Sequence, residues 1–318
     1  MDKLGMYDRA AKPRIIRGIE RRIFSRLNKL KSIFDIRKNY DIIHPTYYDP
    51  YVLGRYKGKL ILTVHDMIHE RYADTYFKHD LYTVQHKKKM IQAADRIIAI
   101  SESTKRDLHE FFPELDPSKI SIIYHGASMK ADDIHAGEFS RMDGRNYILF
   151  VGARWIYKNF KRFVKAVIPV LETHKDLHVF CSGGGAFKAD ELDMFGEYSS
   201  RFHQGGLNDD ELAAAYKNAL CFVFPSEYEG FGIPLLEAFA CNCPVVCSGT
   251  TSLPEVAGDA AEYFDPLNVD DISAKISKVI DDETLRTNMK SRGRERLKLF
   301  DWDKTARETL ECYELALK

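Results

Sequence analysis

The segment FVFPSEYEGFGIPLLEAFACNCPVV, Phe222–Val246, decides how the chain folds. An apolar, strand-like run ends at Pro225, a turn containing Gly230 and Gly232 follows, and Pro234 stands where a first helical position belongs. Proline is tolerated there because the first amide N–H of a helix has no partner within the helix. Helical text then gives way to a second β-branched run. Strand, turn, helix and strand in that order is the repeating unit of a parallel α/β sheet.

The same alternation runs through the rest of the sequence. NYILFVGA (Asn146–Ala153), LHVFCSG (Leu177–Gly183), RFHQGG (Arg201–Gly206), CFVFPS (Cys221–Ser226), CPVVCSG (Cys243–Gly249) and AEYFDP (Ala261–Pro266) read as strands of one sheet. DIIH (Asp41–His44), KLILTVHD (Lys59–Asp66), RIIAIS (Arg96–Ser101) and ISIIYHG (Ile120–Gly126) form an earlier set. Ser101 is placed to cap one intervening helix, and Asn208 another with acids in its first turn. The polar stretch Ala127–Asn146 lies between the two sets and reads as a linker. The expected architecture is therefore α/β, with two Rossmann-like doubly wound domains facing across a cleft. Their expected bounds are 1–140 and 141–300. An amphipathic helix over 301–318 either packs on the second domain or crosses back to the first. Ligands of such sheets bind at the carboxyl ends of the strands, which makes the cleft the natural site.

The 318 residues, 45% hydrophobic and 30% charged, describe an ordinary folded chain long enough for two cores. A formal net charge of zero gives no global field that would favour nucleic acid. No apolar run reaches the roughly 20 residues needed to span a bilayer, and the first residues lack the apolar centre of a signal peptide. Most of the six cysteines lie in apolar text, the pattern of buried free thiols in a reducing cytoplasm. Cys241, Cys243 and Cys247 do not have zinc-site spacing. The three-glycine run after Cys181 lacks the GxGxxG spacing of a dinucleotide fingerprint, which argues against an NAD-dependent oxidoreductase.

Chemistry concentrates in the turn. The amides of Phe231, Gly232 and Ile233 open a helix, and free N–H groups at the positive end of a helix dipole favour a diphosphate. Glu229 precedes the turn and Glu237 lies beyond it. Spacing alone leaves them equally readable as a turn residue and a solvated helix residue. Next to a phosphate site, carboxylates that face sugar hydroxyls are the other reading.

Glu229 and Glu237, with GFGIPLL inside and PSEYEGFG in front, resemble the signature of the family 4 glycosyltransferases of the group 1 type, which have the GT-B fold. DIIHPTYYDP, LTVHD, AISESTKRDL, FVGARWIYKNF and SLPEVAGDAAEYFDP follow the family's order, so the likeness runs from Tyr40 to the end. The resemblance implies a retaining transferase that moves a hexose from a nucleotide diphosphate sugar to an acceptor hydroxyl in surface glycan or polysaccharide synthesis. It implies that Arg154 and Lys158, in the loop that opens with Gly152, hold the donor diphosphate. Glu237 would bind the ribose hydroxyls, Glu229 would face the donor sugar, and His65 would reach that sugar across the cleft. Gly206 and Leu207 would border the base, and Phe231, Gly232 and Ile233 would offer amides. No metal or cofactor is implied, since cations of the chain and a helix end take that place. The YKNF form of the loop points to a GDP-sugar, mannose-like, before a UDP-sugar.

The family's first domain normally opens with a strand and a glycine-rich loop. Neither precedes DIIHPTYYDP here, so a shortened acceptor side is expected, and a nucleotide-sugar-binding protein without transfer is the alternative reading. Within 13–34, Ile16, Ile19, Ile23, Leu27, Leu30 and Phe34 share one helical face beside a crowd of arginines and lysines. Such a helix either packs on the first sheet or lies on an anionic membrane, suiting a lipid-linked acceptor at the inner membrane surface.

Overall fold

The computed structural model describes residues 27–28, 31–36, 39–78, 80–129, 139–154 and 156–318. The first sheet holds β1 (Ile42–Ile43), β2 (Lys59–Val64), β3 (Arg96–Ala99) and β4 (Ile120–Ile122), in that order and parallel throughout. Helices α1 (Ile68–Arg71), α2 (Leu81–Ala93) and α3 (Glu102–Phe111) connect them. The second sheet holds β5 (Asn146–Val151), β6 (Leu177–Ser182), β7 (Phe202–Gly205), β8 (Cys221–Phe224), β9 (Val245–Ser248) and β10 (Ala261–Phe264). Its order is β10-β9-β8-β5-β6-β7, again all parallel. Helices α4 (Phe160–Thr173), α5 (Ala189–Phe195), α6 (Asp209–Asn218), α7 (Ile233–Ala240), α8 (Leu253–Ala257) and α9 (Val269–Asp281) wrap it. The chain closes with α10 (Glu283–Leu297) and α11 (Trp302–Leu317).

All ten strands read from β-branched runs are present, so the doubly wound α/β architecture holds. Each is shorter at its carboxyl end, where the chain leaves the sheet for the loops that build the site. β8 and β9 are buried at every position, because helices cover both faces of a parallel sheet. One face packs Phe222, Phe224 and Val245 against α6 and α7, and the other packs Val223 and Val246 against α4 and α9. Sequential order reverses between β5 and β8, so the second sheet has its topological switch point there.

Helix α11 lies against β2 and β3, burying Cys312 and Ala316 on Ile61, Ile98 and Ile123. The tail of the chain is therefore packed on the first sheet. The stretch read as linker is not linker throughout: Phe139 and Met142 are buried in the second core beside Tyr147 and Phe180, because two apolar residues suffice to anchor a chain that shows no periodicity. Residues 130–138 lie outside the described residues, as does most of the basic helix 13–34. Of its described part, 27–28 and 31–34 are helical, and the turn runs on to Ile36, which packs on the first core. All six cysteines are buried free thiols, and burial raises the pKa of each.

Candidate active site

Two loops leave the second sheet on either side of its switch point, Gly152–Lys158 after β5 and Pro225–Gly232 after β8. Lys158 and Glu229 bring them together: the ammonium donates to Glu229 Oε1 at 2.5 Å, with both side chains mostly buried. A mostly buried pair of this kind keeps much of its attraction, unlike an ion pair in open water. Glu229 is held from behind as well, its amide donating to Thr251 Oγ1 at 3.2 Å and its carbonyl accepting from Ser252 Oγ at 2.9 Å.

Gly232 ends the turn with φ of 113°, a conformation that glycine adopts without strain. Helix α7 begins at the next residue, and Pro234 takes its second position. Among the described residues, none accepts a hydrogen bond from the amides of Phe231, Gly232 or Ile233. Unpaired amides at a helix start are groups of the kind that bind anions. Glu237, one turn into α7, is largely buried and accepts from Tyr216 Oη at 3.2 Å; burial raises its carboxyl pKa. Gly206 is exposed just beyond β7, and Leu207 packs against the core beneath it. Gly152, with φ of 132°, leaves the end of β5 open.

Arg154 has partners of its own. Its Nε donates to Glu191 at 2.8 Å, and its terminal nitrogens donate to the carbonyls of Gly183, Gly185 and Ala186 at 2.8, 3.0 and 2.8 Å. With its ion pair to Glu191 and only 2% of the side chain exposed, it clamps the loop after β6. The resemblance expects Arg154 and Lys158 to act as a pair; in this structure Lys158 holds Glu229 and Arg154 holds the loop after β6.

The first domain meets the turn directly. A Cβ on Gly230 would lie 1.9 Å from the carbonyl oxygen of His65, so only glycine permits this approach. The Gly230 carbonyl accepts from Ser101 Oγ at 2.7 Å and Thr104 Oγ1 at 3.2 Å. Tyr228 Oη donates to Asp107 Oδ2 at 2.6 Å and accepts from the Met67 amide at 3.0 Å, while Arg71 closes the network on Asp107 at 2.7 Å. Glu255 reaches across from α8 and accepts from the Glu102 and Ser103 amides at the start of α3, at 2.6 and 3.1 Å. A carboxylate at a helix N-terminus gains from the dipole and satisfies unpaired amides. Sequence reasoning missed Tyr228, Glu255 and Asp107 as interdomain groups; their partners lie over a hundred residues away, and no local pattern marks them.

Tyr228→Phe is expected to leave the Met67 amide and one Asp107 oxygen buried without a partner. The cost is about 2–4 kcal/mol, measurable by denaturant unfolding. An unchanged midpoint would contradict the network.

His65 sits at the end of β2 with its ring 5.9 Å from that of His125, which follows β4. Burial lowers the pKa of both, and His125 is pushed down to about 4. The folded chain then holds His125 neutral where the unfolded chain, near its ordinary 6.5, has already taken a proton. Stability from this group is level above about pH 6.5 and is lost as pH falls toward about 4. Melting curves across that window are expected to show the loss and to show less of it in His125→Asn; equal slopes would contradict the burial.

Comparison with known proteins agrees with this geometry. The family model described as glycosyl transferases group 1 matches residues 133–296, just over half of the chain, and that described as glycosyltransferase family 4 matches residues 5–130. O-antigen chain mannosyltransferase B of Escherichia coli is 37% identical over 177 residues, covering 54% of this chain and 46% of that protein. An uncharacterized glycosyltransferase of Methanocaldococcus jannaschii is 29% identical over 239 residues, covering 70% of this chain and 60% of that one. The chain thus spans about half to three fifths of these relatives' length. Among solved structures, a glycosyltransferase from Rickettsia africae superposes with a TM-score of 0.68 at 18% identity, covering 99% of this chain and 85% of that one. Sucrose-phosphate synthase from Thermosynechococcus elongatus superposes with a TM-score of 0.71 at 20% identity, covering 87% and 73%. At such identities the structures speak for the fold alone. With its fold, its turn and the family match in agreement, the chain belongs to the group 1 glycosyltransferases.

Proposed function

We propose that the chain transfers a hexose from a nucleotide diphosphate sugar to an acceptor hydroxyl during surface glycan synthesis. The observation that carries this reading is the meeting, at the switch point, of the Lys158–Glu229 pair with the unpaired amides of Phe231, Gly232 and Ile233. A donor diphosphate there gains the helix start and the ammonium. It would draw Lys158 toward phosphate and leave Glu229 to accept from sugar hydroxyls. Glu237 faces the ribose, Gly206 and Leu207 border the base, and Gly152 leaves the loop room for the phosphates. As the bond from the anomeric carbon to phosphate breaks, charge grows on the diphosphate, where fixed amides and a cation stabilise it most. The acceptor oxygen attacks the same face, and its proton leaves with the departing phosphate oxygen, so no protein nucleophile, metal or cofactor is required. His65 stands neutral at the first-domain wall, with its carbonyl against the turn.

Several relatives are named mannosyltransferases, which favours mannose as the sugar and GDP before UDP as the carrier. A glycan or lipid-linked acceptor fits that class, with the basic stretch 13–34 supplying peripheral membrane contact in the cytoplasm. Among the described residues no helix is long and apolar enough to cross a membrane.

The test is release of nucleoside diphosphate from a panel of sugar nucleotides, with and without glycan acceptors. Release that rises with one acceptor supports transfer; tight nucleotide binding without release under any pairing would favour a binding protein. Glu237→Ala is expected to weaken donor affinity about tenfold to a hundredfold, the loss of a charge-assisted hydrogen bond, as read by calorimetric titration. Unchanged affinity would remove Glu237 from the ribose.

A further inference from the structure

We propose that the first domain carries, beside the donor turn, a subsite for an uncharged pyranose of the acceptor, walled by Trp302 of α11. This rests on the transferase reading and adds the chemical class of the acceptor. The cavity, about 290 Å³, lies at the carboxyl ends of β1–β4 and is lined by His44, Thr46, His65, His125, Trp302 and Thr309 among others. Its size is at the small end of ligand pockets, roughly 300–1,000 Å³.

Three observations carry the assignment. The first is position. His125 stacks on His65, lies 5.5 Å from Trp302, and meets the ring of Phe231 edge-on at 5.4 Å. Phe231 belongs to the donor turn, so one imidazole separates the cavity from the proposed diphosphate site. The second is charge. Among the described residues no Lys, Arg, Asp or Glu lines the cavity, and burial holds its three imidazoles toward their neutral form. A phosphate or carboxylate entering it would lose water and find no cation, whereas hydroxyls find imidazole nitrogens and threonine oxygens.

The third is which groups remain unpaired. His44 is engaged on both ring nitrogens, with Tyr313 at 2.7 Å and Thr63 at 2.8 Å. The ring nitrogens of His65 and His125 and the indole N–H of Trp302 have no hydrogen-bond partner among the described residues. Trp302 is 44% exposed yet firmly seated: a Cβ on Gly126 would touch its ring at 2.5 Å, and Thr305 of the next helical turn donates to the Tyr124 carbonyl at 2.7 Å. An indole face with hydroxyl partners around it suits a sugar ring, which is apolar on its C–H face and polar at its rim.

The test uses the full chain. It has two tryptophans, so Trp155→Phe leaves Trp302 as the sole indole reporter. Titration with methyl α-mannopyranoside and other neutral hexosides is expected to give a saturable change in its emission, and mannose 6-phosphate no change at equal concentration. Thr309→Phe, which places a ring in the cavity, is expected to abolish the response at an unchanged melting temperature. In turnover assays Trp302→Ala is expected to raise acceptor KM about tenfold or more, with Trp302→Phe restoring most of it. Absence of a saturable response to every neutral hexoside, a response that survives Thr309→Phe, or a stronger response to the phosphate would each overturn the subsite. Hexoside binding needs no donor, so a chain that binds sugar but turns over no nucleotide would sink the transferase reading and leave the subsite standing.

Discussion

Gly230→Ala is expected to lower turnover at least about a hundredfold and to destabilise the chain by about 1–3 kcal/mol. The added Cβ would lie 1.9 Å from the His65 carbonyl oxygen and 3.0 Å from both the His65 carbonyl carbon and the Asp66 Cβ. Two of these are backbone atoms of the first domain, with no flexible end to move aside. The turn cannot retreat either, since its carbonyl is held by Ser101 and Thr104 and its neighbour Tyr228 by Asp107. The strain must open the contact between domains, which moves the free amides away from His65. Gly249→Ala is the control, because a Cβ there meets its nearest neighbour at 3.5 Å, an ordinary contact. Turnover and melting that match between the two variants would show that the domains do not need this approach.

Lys158→Ala is expected to reduce kcat about a hundredfold to a thousandfold while changing donor affinity far less. Its ammonium pairs with Glu229 in the turn, whereas Arg154 is engaged by Glu191 and the loop carbonyls. Charge on the diphosphate is greatest as the sugar departs, so a fixed cation counts most in the transition state. Removing it also frees Glu229, whose carboxylate then faces the phosphates uncompensated. Glu229→Gln in the same background should therefore recover part of the lost affinity but little of the rate. Arg154→Gln is expected to act differently, loosening the loop after β6 and lowering the melting temperature. If Arg154→Gln proves the more damaging to kcat at unchanged stability, the roles given to these two cations are reversed.

The fold was legible because each strand of a parallel sheet buries both faces and writes an unbroken apolar run, as CFVF and PVVC do here. The turn was legible because glycine and proline mark backbone geometry locally. What the sequence did not reveal depends on the glycine run after β6. Gly183, Gly184 and Gly185 all take positive φ, of 92°, 74° and 73°, and the run offers its carbonyls to Arg154. Nothing in the local motif marks these partners of Arg154. Contacts across the cleft were equally hidden. Glu255 reads as one more helix acid until α3 is seen to start against it, and Trp302 as part of an amphipathic tail until α11 is found on the first sheet.

The central claim is that the turn at the start of α7, with Lys158, binds a nucleoside diphosphate. The most direct measurement is a thermal-shift titration of the chain with GDP, UDP, ADP and dTDP sugars, repeated on Lys158→Ala and Glu237→Ala. A concentration-dependent rise in melting temperature for one base, reduced in both variants, is the expected result. No rise with any of the four, or a rise that both variants keep in full, would contradict the account.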